Sequence, residues 1–134
     1  SNKTLLTSSV LIVDDDIEAL EEMADGLQDY RLVVYNASNE SMALELALEH
    51  RPEFIIMDYF LHGSTGIEVV KEIQKSLPET QVIMISGFEE LRRLITTTNS
   101  DVIAVLKKPI SIDSIGRYIF NQLEQKNQKS KLAI

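Results

Sequence analysis

The chain has 134 residues with 44% apolar and 25% charged content, which suggests one globular domain able to bury a core of its own. It has no cysteine, which excludes disulfides and thiolate metal sites, and its formal net charge of −8 argues against a nonspecific nucleic-acid surface. No apolar run approaches the roughly 20 residues of a membrane span, and Ser1-Asn2-Lys3-Thr4 lacks the long apolar core of a secretory signal.

Residues 1–8 read as a flexible end. Val10-Leu11-Ile12-Val13 is a continuous apolar run, the mark of a strand buried on both faces, and it stops at Asp14-Asp15-Asp16. Leu20, Met23, Ala24 and Leu27 recur at helical spacing, with Asp16 as the expected cap and Gly26 and Asp29-Tyr30 as the decay of the helix. Leu32-Val33-Val34-Tyr35 is a short strand, and Ser38 or Asn39 opens a helix through Met42, Ala43, Leu46 and Ala47 that ends before Pro52. Phe54-Ile55-Ile56-Met57 runs unbroken into a lone carboxylate, Asp58, and a loop with Gly63, Ser64, Thr65 and Gly66 follows. A third helix carries Ile67, Val70, Ile73 and Leu77. A fourth strand, Gln81 to Ser86, precedes a short helix over 89–96 and a loop over 96–100. The fifth strand, Val102 to Leu106, leads to Lys107-Lys108-Pro109, and the last helix carries Ile112, Ile115, Ile119 and Leu123. Residues 125–134 are polar and read as a flexible end or linker remnant.

Five strands separated by single helices imply parallel pairing. The expected fold is α/β, a three-layer doubly wound (βα)5 sandwich with a five-stranded parallel sheet, flavodoxin-like. Parallel strands put their carboxyl ends on one edge, so Asp14 and Asp15, Asp58, Ser86 and Lys108 converge. Each alone reads as a helix cap or a solvated loop end; four such strand ends together point to a site. Two like charges about 4 Å apart repel by about 4 kcal/mol at an effective dielectric of 20. Three carboxylates on one rim therefore need a cation or a proton, and hard oxygen donors suit Mg2+ better than zinc. Acids, a cation, a hydroxyl and a lysine make an anion site, for which phosphoryl is the obvious occupant and a carboxylate the nucleophile.

These pieces resemble the receiver domain of two-component response regulators over residues 9–124. The resemblance rests on Val10-Leu11-Ile12-Val13-Asp14-Asp15-Asp16, on Phe54-Ile55-Ile56-Met57-Asp58 with Leu61, Gly63 and Gly66, on Val82-Ile83-Met84-Ile85-Ser86-Gly87, and on Leu106-Lys107-Lys108-Pro109. It implies that Asp58 accepts phosphoryl from the phosphohistidine of a histidine kinase or phosphotransfer protein. It implies that Asp14, Asp15, Asp58 and the backbone carbonyl of Phe60 hold Mg2+. Ser86 matches the hydroxyl that bonds a phosphoryl oxygen, and Lys108 the lysine that pairs with it, before a bond usually cis in the family. Lys107 is expected to be exposed. Phosphorylation would bias a protein-interaction surface on the 89–96 helix, the fifth strand and the last helix. The partner is a downstream protein or an output domain absent here, with a phosphorylation-linked homodimer as a further expectation. The resemblance implies a cytoplasmic phosphoprotein without a separate turnover activity, with no nucleic acid and no membrane as partner.

Departures from the family pattern bear on how the site works. His62 stands where proline is usual, so a looser loop is expected, with His62 a solvated loop histidine rather than a proton-transfer group or ligand. Val105 replaces the aromatic partner of the hydroxyl. Asp101 and Val102 replace a small pair, which implies a displaced 89–96 helix. Phe60 and Phe88 follow Asp58 and Ser86 by two residues and suit either shielding of the site or loop packing. Val105 and the altered 96–102 region motivate a rival, a receiver-like binding module independent of phosphorylation. A weaker rival is a Mg2+ phosphatase of the haloacid-dehalogenase type, since Asp14-x-Asp16 fits its motif, but Glu18 stands where threonine or valine is expected and the chain is short for a capping domain.

Overall fold

A computed structural model describes residues 8–87 and 102–132. The elements are β1 (Ser8–Val13), α1 (Ile17–Gln28), β2 (Leu32–Ala37), α2 (Glu40–His50), β3 (Phe54–Asp58), β4 (Phe60–Leu61), β5 (Ser64–Thr65), α3 (Gly66–Ser76), β6 (Gln81–Ser86), β7 (Val102–Lys107) and α4 (Ile112–Leu132). The helix expected over 89–96, the loop that follows it, Phe88 and Asp101 lie outside the described residues.

Five strands form one parallel sheet in the order β2-β1-β3-β6-β7. The continuous apolar runs follow from its two covered faces. Leu11, Val13, Ile55, Met57 and Met84 pack on one face against Ala43 and Ala47 of α2 and Val69, Val70 and Ile73 of α3. Val10, Ile12, Phe54, Ile56 and Ile83 pack on the other against Leu20, Ala24 and Leu27 of α1 and Ile115 and Ile119 of α4. The three-layer, doubly wound α/β sandwich expected from the strand–helix alternation is therefore the observed fold. Gly26 lies inside α1 rather than at its decay: a Cβ there would stand 2.6 Å from Cγ2 of Ile112, so α1 and the start of α4 meet at a residue without a side chain.

Three local features go beyond the expected elements. Val82 pairs with Val102 and Ile83 with Ala104, so Ile103 is an extra residue in β7. This bulge lets Val102 and Val105, three apart, share one face of the sheet. The loop after β3 contains an antiparallel ribbon in which Phe60 faces Thr65 and Leu61 faces Ser64. Its two-residue turn is His62-Gly63, where Gly63 supplies a φ of 82° that side chains resist. The expected looser loop is instead paired. Finally, the expected flexible end is helical to Leu132, with 133–134 outside the described residues. Glu124, Gln125, Lys126 and Lys129 are good helix formers, and Lys126 Nζ reaches Glu53 Oε2 at 2.9 Å, which ties the extension to the start of β3.

The strand order places the site. β1 has β2 on one side and β3 on the other, so the chain direction across the sheet reverses between β1 and β3. A crevice opens at the carboxyl ends of such a pair. β1 ends beside Asp14 and β3 ends in Asp58.

Candidate functional site at the carboxyl edge of the sheet

Consecutive aspartates after β1 take separate roles. Asp14 is buried, and its Oδ1 accepts the Asp16 N–H at 2.9 Å. Asp16 caps α1, accepting from the N–H groups of Glu18 at 3.1 Å and Ala19 at 3.3 Å. Asp15 lies between them, and its Oδ2 accepts the His62 N–H at 3.0 Å. The His62 ring reaches the same oxygen, with Nδ1 at 2.6 Å.

Asp58 is buried at the end of β3. Its Oδ1 accepts the Phe60 N–H at 3.3 Å, and its Oδ2 accepts from Lys108 Nζ at 2.8 Å. Lys108 comes into reach because its own N–H donates to the Ser86 carbonyl at 2.8 Å, which docks the turn after β7 on the end of β6. The Lys108–Pro109 bond is cis, as the resemblance implied, and Lys107 is exposed. Ser86 is buried one position beyond Ile85, the residue that pairs with Asp58 across the sheet. Gly66 opens α3 under Asp58: a Cβ there would lie 2.5 Å from the Asp58 carbonyl oxygen.

Carboxylate oxygens of Asp14, Asp15 and Asp58 lie within 4.8 Å of one another. They line a cavity of about 500 Å³ with Phe60, His62 and Lys108. Burial pushes the Asp14 carboxyl above its ordinary value, with the Asp58 and Asp15 charges adding to the rise and the Asp16 N–H and Lys108 opposing it. Burial lowers the Lys108 ammonium, but its hydrogen bond to Asp58 and the charges of Asp58, Asp14 and Asp15 outweigh that and raise it. The donors are hard, anionic and close-set, with one ammonium among them. That set fits a small divalent cation held through oxygen beside an anion.

A second cleft, about 310 Å³, lies at the opposite edge among Arg51, Pro52, Glu53, Thr80 and Lys126. Its Glu53 is engaged, accepting from Lys126 at 2.9 Å and from the Ser8 hydroxyl at 3.0 Å. Among the described residues the close-set group of three acids lies at the carboxyl edge and not in this cleft.

The model of the response regulator receiver domain matches residues 10–120. The chain belongs to that family. Response regulator protein VraR of Staphylococcus epidermidis is 30% identical over 109 residues, which cover 81% of this chain and 46% of the relative. Sporulation initiation phosphotransferase F of Bacillus subtilis is 26% identical over 113 residues, covering 83% and 90% respectively. The chain thus spans about half the length of some curated relatives it matches and nearly all of another. A CheY-like receiver domain from Methanospirillum hungatei has the same fold, with a TM-score of 0.82 at 22% identity over 92% of this chain and 99% of that one. Receiver domains are the phosphoacceptors of two-component signalling and generally bind Mg2+ through an acidic cluster. Asp14, Asp15 and Asp58 form such a cluster in this receiver domain. No described helix is long and apolar enough to cross a membrane.

Asp14, Asp15, Asp58 and Lys108 therefore line one cavity, and Ser86, buried at the end of β6, precedes Gly87 of the same lining. The contacts between His62 and Asp15 were not foreseen. A two-residue X-Gly turn between Phe60-Leu61 and Ser64-Thr65 was the available signal for the ribbon that carries His62.

Proposed function

We infer that residues 9–124 form a phosphoacceptor receiver that takes phosphoryl onto Asp58 from the phosphohistidine of a histidine kinase or phosphotransfer protein. The observation that carries this reading is Asp58 itself, buried and bonded to Lys108 at 2.8 Å within a cavity shared with Asp14 and Asp15. An Asp58 carboxylate oxygen attacks phosphorus, the phosphorus–nitrogen bond to the donor imidazole breaks, and the imidazole leaves with the bonding pair. The product is an acyl phosphate on Asp58. Lys108 then shifts its hydrogen bond from the carboxylate to a phosphoryl oxygen, and the Ser86 hydroxyl donates to another. Asp14, Asp15, Asp58 and the Phe60 backbone carbonyl are the proposed Mg2+ ligands. Bound there, Mg2+ supplies neutralisation of the phosphoryl oxygens.

The acyl phosphate carries about −1.5 to −2 charges in place of the single carboxylate charge of Asp58, a net gain of up to about one on a rim that already carries acids, and this change biases a two-state surface. That surface serves a downstream protein or an output domain, and in a homodimer it would link association to phosphorylation. The chain assists its own phosphorylation and has no separate turnover. We infer a cytoplasmic location. Val105 is buried in the core face shared with α2 and α3, so the relay from Ser86 runs without an aromatic switch at that position.

Incubation with a phosphohistidine donor or a small acyl phosphate tests the reading. Wild-type protein gains one phosphoryl group by intact mass, and the Asp58→Asn variant gains none. Equal incorporation by that variant would remove Asp58 as the acceptor. Partner affinity that is identical with and without beryllofluoride would favour the phosphorylation-independent rival.

A further inference from the structure

We propose that His62 is a positioning residue for Asp15, joining the β4–β5 ribbon to the cation site. The inference rests on the reading of Asp14, Asp15 and Asp58 as cation ligands. Two nitrogens of one residue converge on one oxygen: the His62 N–H donates to Asp15 Oδ2 at 3.0 Å, and ring Nδ1 lies 2.6 Å from the same oxygen. The His62 side chain is 95% exposed, so packing does not hold the ring where it is. The ribbon fixes the backbone from which the ring reaches Asp15, since His62 is the first residue of the turn between Leu61 and Ser64.

The consequence is chemical. Asp15 is only partly buried and would otherwise turn freely on its rotamers. Anchored twice through Oδ2, it keeps Oδ1 for a cation shared with Asp14 and Asp58. Partners of this kind orient a ligating carboxylate and commonly contribute tenfold or more to metal affinity. The ring contacts Asp15 through Nδ1 and His62 is not in the close-set group of ligand atoms, so it acts through the carboxylate.

Mn2+ titration followed by the electron paramagnetic resonance signal of the free ion tests this on unphosphorylated protein. His62→Ala keeps the backbone N–H and loses the ring contact; the expected result is about tenfold weaker binding. His62→Pro loses both contacts and binds more weakly still. His62→Asn places an amide N–H where Nδ1 stands, and it restores affinity close to wild type. Melting temperatures without cation should match across wild type, His62→Ala and His62→Asn. Equal Mn2+ affinity in wild type and His62→Ala overturns the positioning role and leaves the acceptor reading standing. So does a His62→Asn variant as weak as His62→Ala. Wild-type protein that binds no Mn2+ overturns both this inference and the cation assignment beneath it.

Discussion

Lys108 Nζ donates to Asp58 Oδ2 at 2.8 Å, so the ammonium that the described residues bring to the cavity is bonded to the carboxylate at the end of β3. The pair compensates an acid that is almost fully buried beside two others. Removing the lysine leaves those charges facing one another. Half of the Lys108 side chain is in solvent, so the cost is set near that of a partly screened pair, about 1 kcal/mol or about 3 °C in Tm. Lys108→Ala should therefore melt a few degrees lower without divalent cation, and Mg2+ should narrow the deficit. The raised value of the ammonium means its stabilisation is intact below its ordinary value of 10.5 and is lost as pH rises through the higher folded value. The wild-type and variant melting curves should thus converge only in strongly alkaline solution. A deficit unaffected by Mg2+ at neutral pH counts against a shared electrostatic site.

Asp16 is the test that consecutive aspartates are not equivalent. It accepts two helix N–H groups at the start of α1 and makes no part of the close carboxylate group. Asp16→Ala should lower stability by about 1 kcal/mol, the usual cost of an N-cap, read from the urea midpoint. Its Mg2+ affinity should stay near wild type, whereas Asp14→Ala and Asp15→Ala should lose binding. Loss of Mg2+ binding in Asp16→Ala would make it a ligand rather than a cap.

The parts of this fold that could be read in advance are those with a strong local pattern. Val10–Val13, Phe54–Met57 and Val82–Ile85 are apolar without interruption because each lies between helices on both faces. The parallel order then brings Asp14, Asp58 and Lys108 to one edge with no further information. The features that stayed hidden depend on tertiary context. Phe60-Leu61 and Ser64-Thr65 are each too short for a period-two pattern. Ile103 breaks the alternation of β7 by one residue, and nothing in its side-chain type distinguishes a bulge from a ladder position. The polar stretch after Leu123 is helical in part through Lys126 and Glu53, which are 73 positions apart. Thr65 and Glu68 form a capping box on α3 that was not foreseen, with Glu68 Oε1 accepting the Thr65 N–H at 2.9 Å.

Gly66 couples that cap to the acceptor. Its N–H donates to the Tyr59 carbonyl at 2.6 Å, and an added Cβ would meet the Asp58 carbonyl oxygen at 2.5 Å and Met57 Cγ at 2.8 Å. The nearest of these atoms is backbone and cannot swing aside. Gly66→Ala should lower stability by about 1–3 kcal/mol through overpacking. Because the atom displaced belongs to Asp58, phosphorylation by an acyl phosphate should slow in the fraction that remains folded. Normal phosphorylation kinetics at normal stability would mean that α3 can back away without disturbing β3.

Asp14 ties stability, pH and cation binding into one expectation. Burial raises its carboxyl above the ordinary 3.8, and the Asp58 and Asp15 charges push the same way. The folded chain therefore binds more protons than the unfolded one between those two values. Stability from this group is fully present below 3.8 and is lost as pH rises through the folded value. Above that window Asp14 sits ionised and partly desolvated beside like charges, a cost that a divalent cation offsets. Asp14→Asn keeps an oxygen for the Asp16 N–H and removes the charge. Urea unfolding should find this variant more stable than wild type at neutral pH without Mg2+, with the gap closing as pH falls toward 4. Adding Mg2+ should raise the wild-type midpoint and leave the variant's almost unmoved, because bound cation stabilises only the chain that can hold it. A variant less stable than wild type at neutral pH without cation would mean that Asp14 contributes more through its hydrogen bond than it costs through its charge.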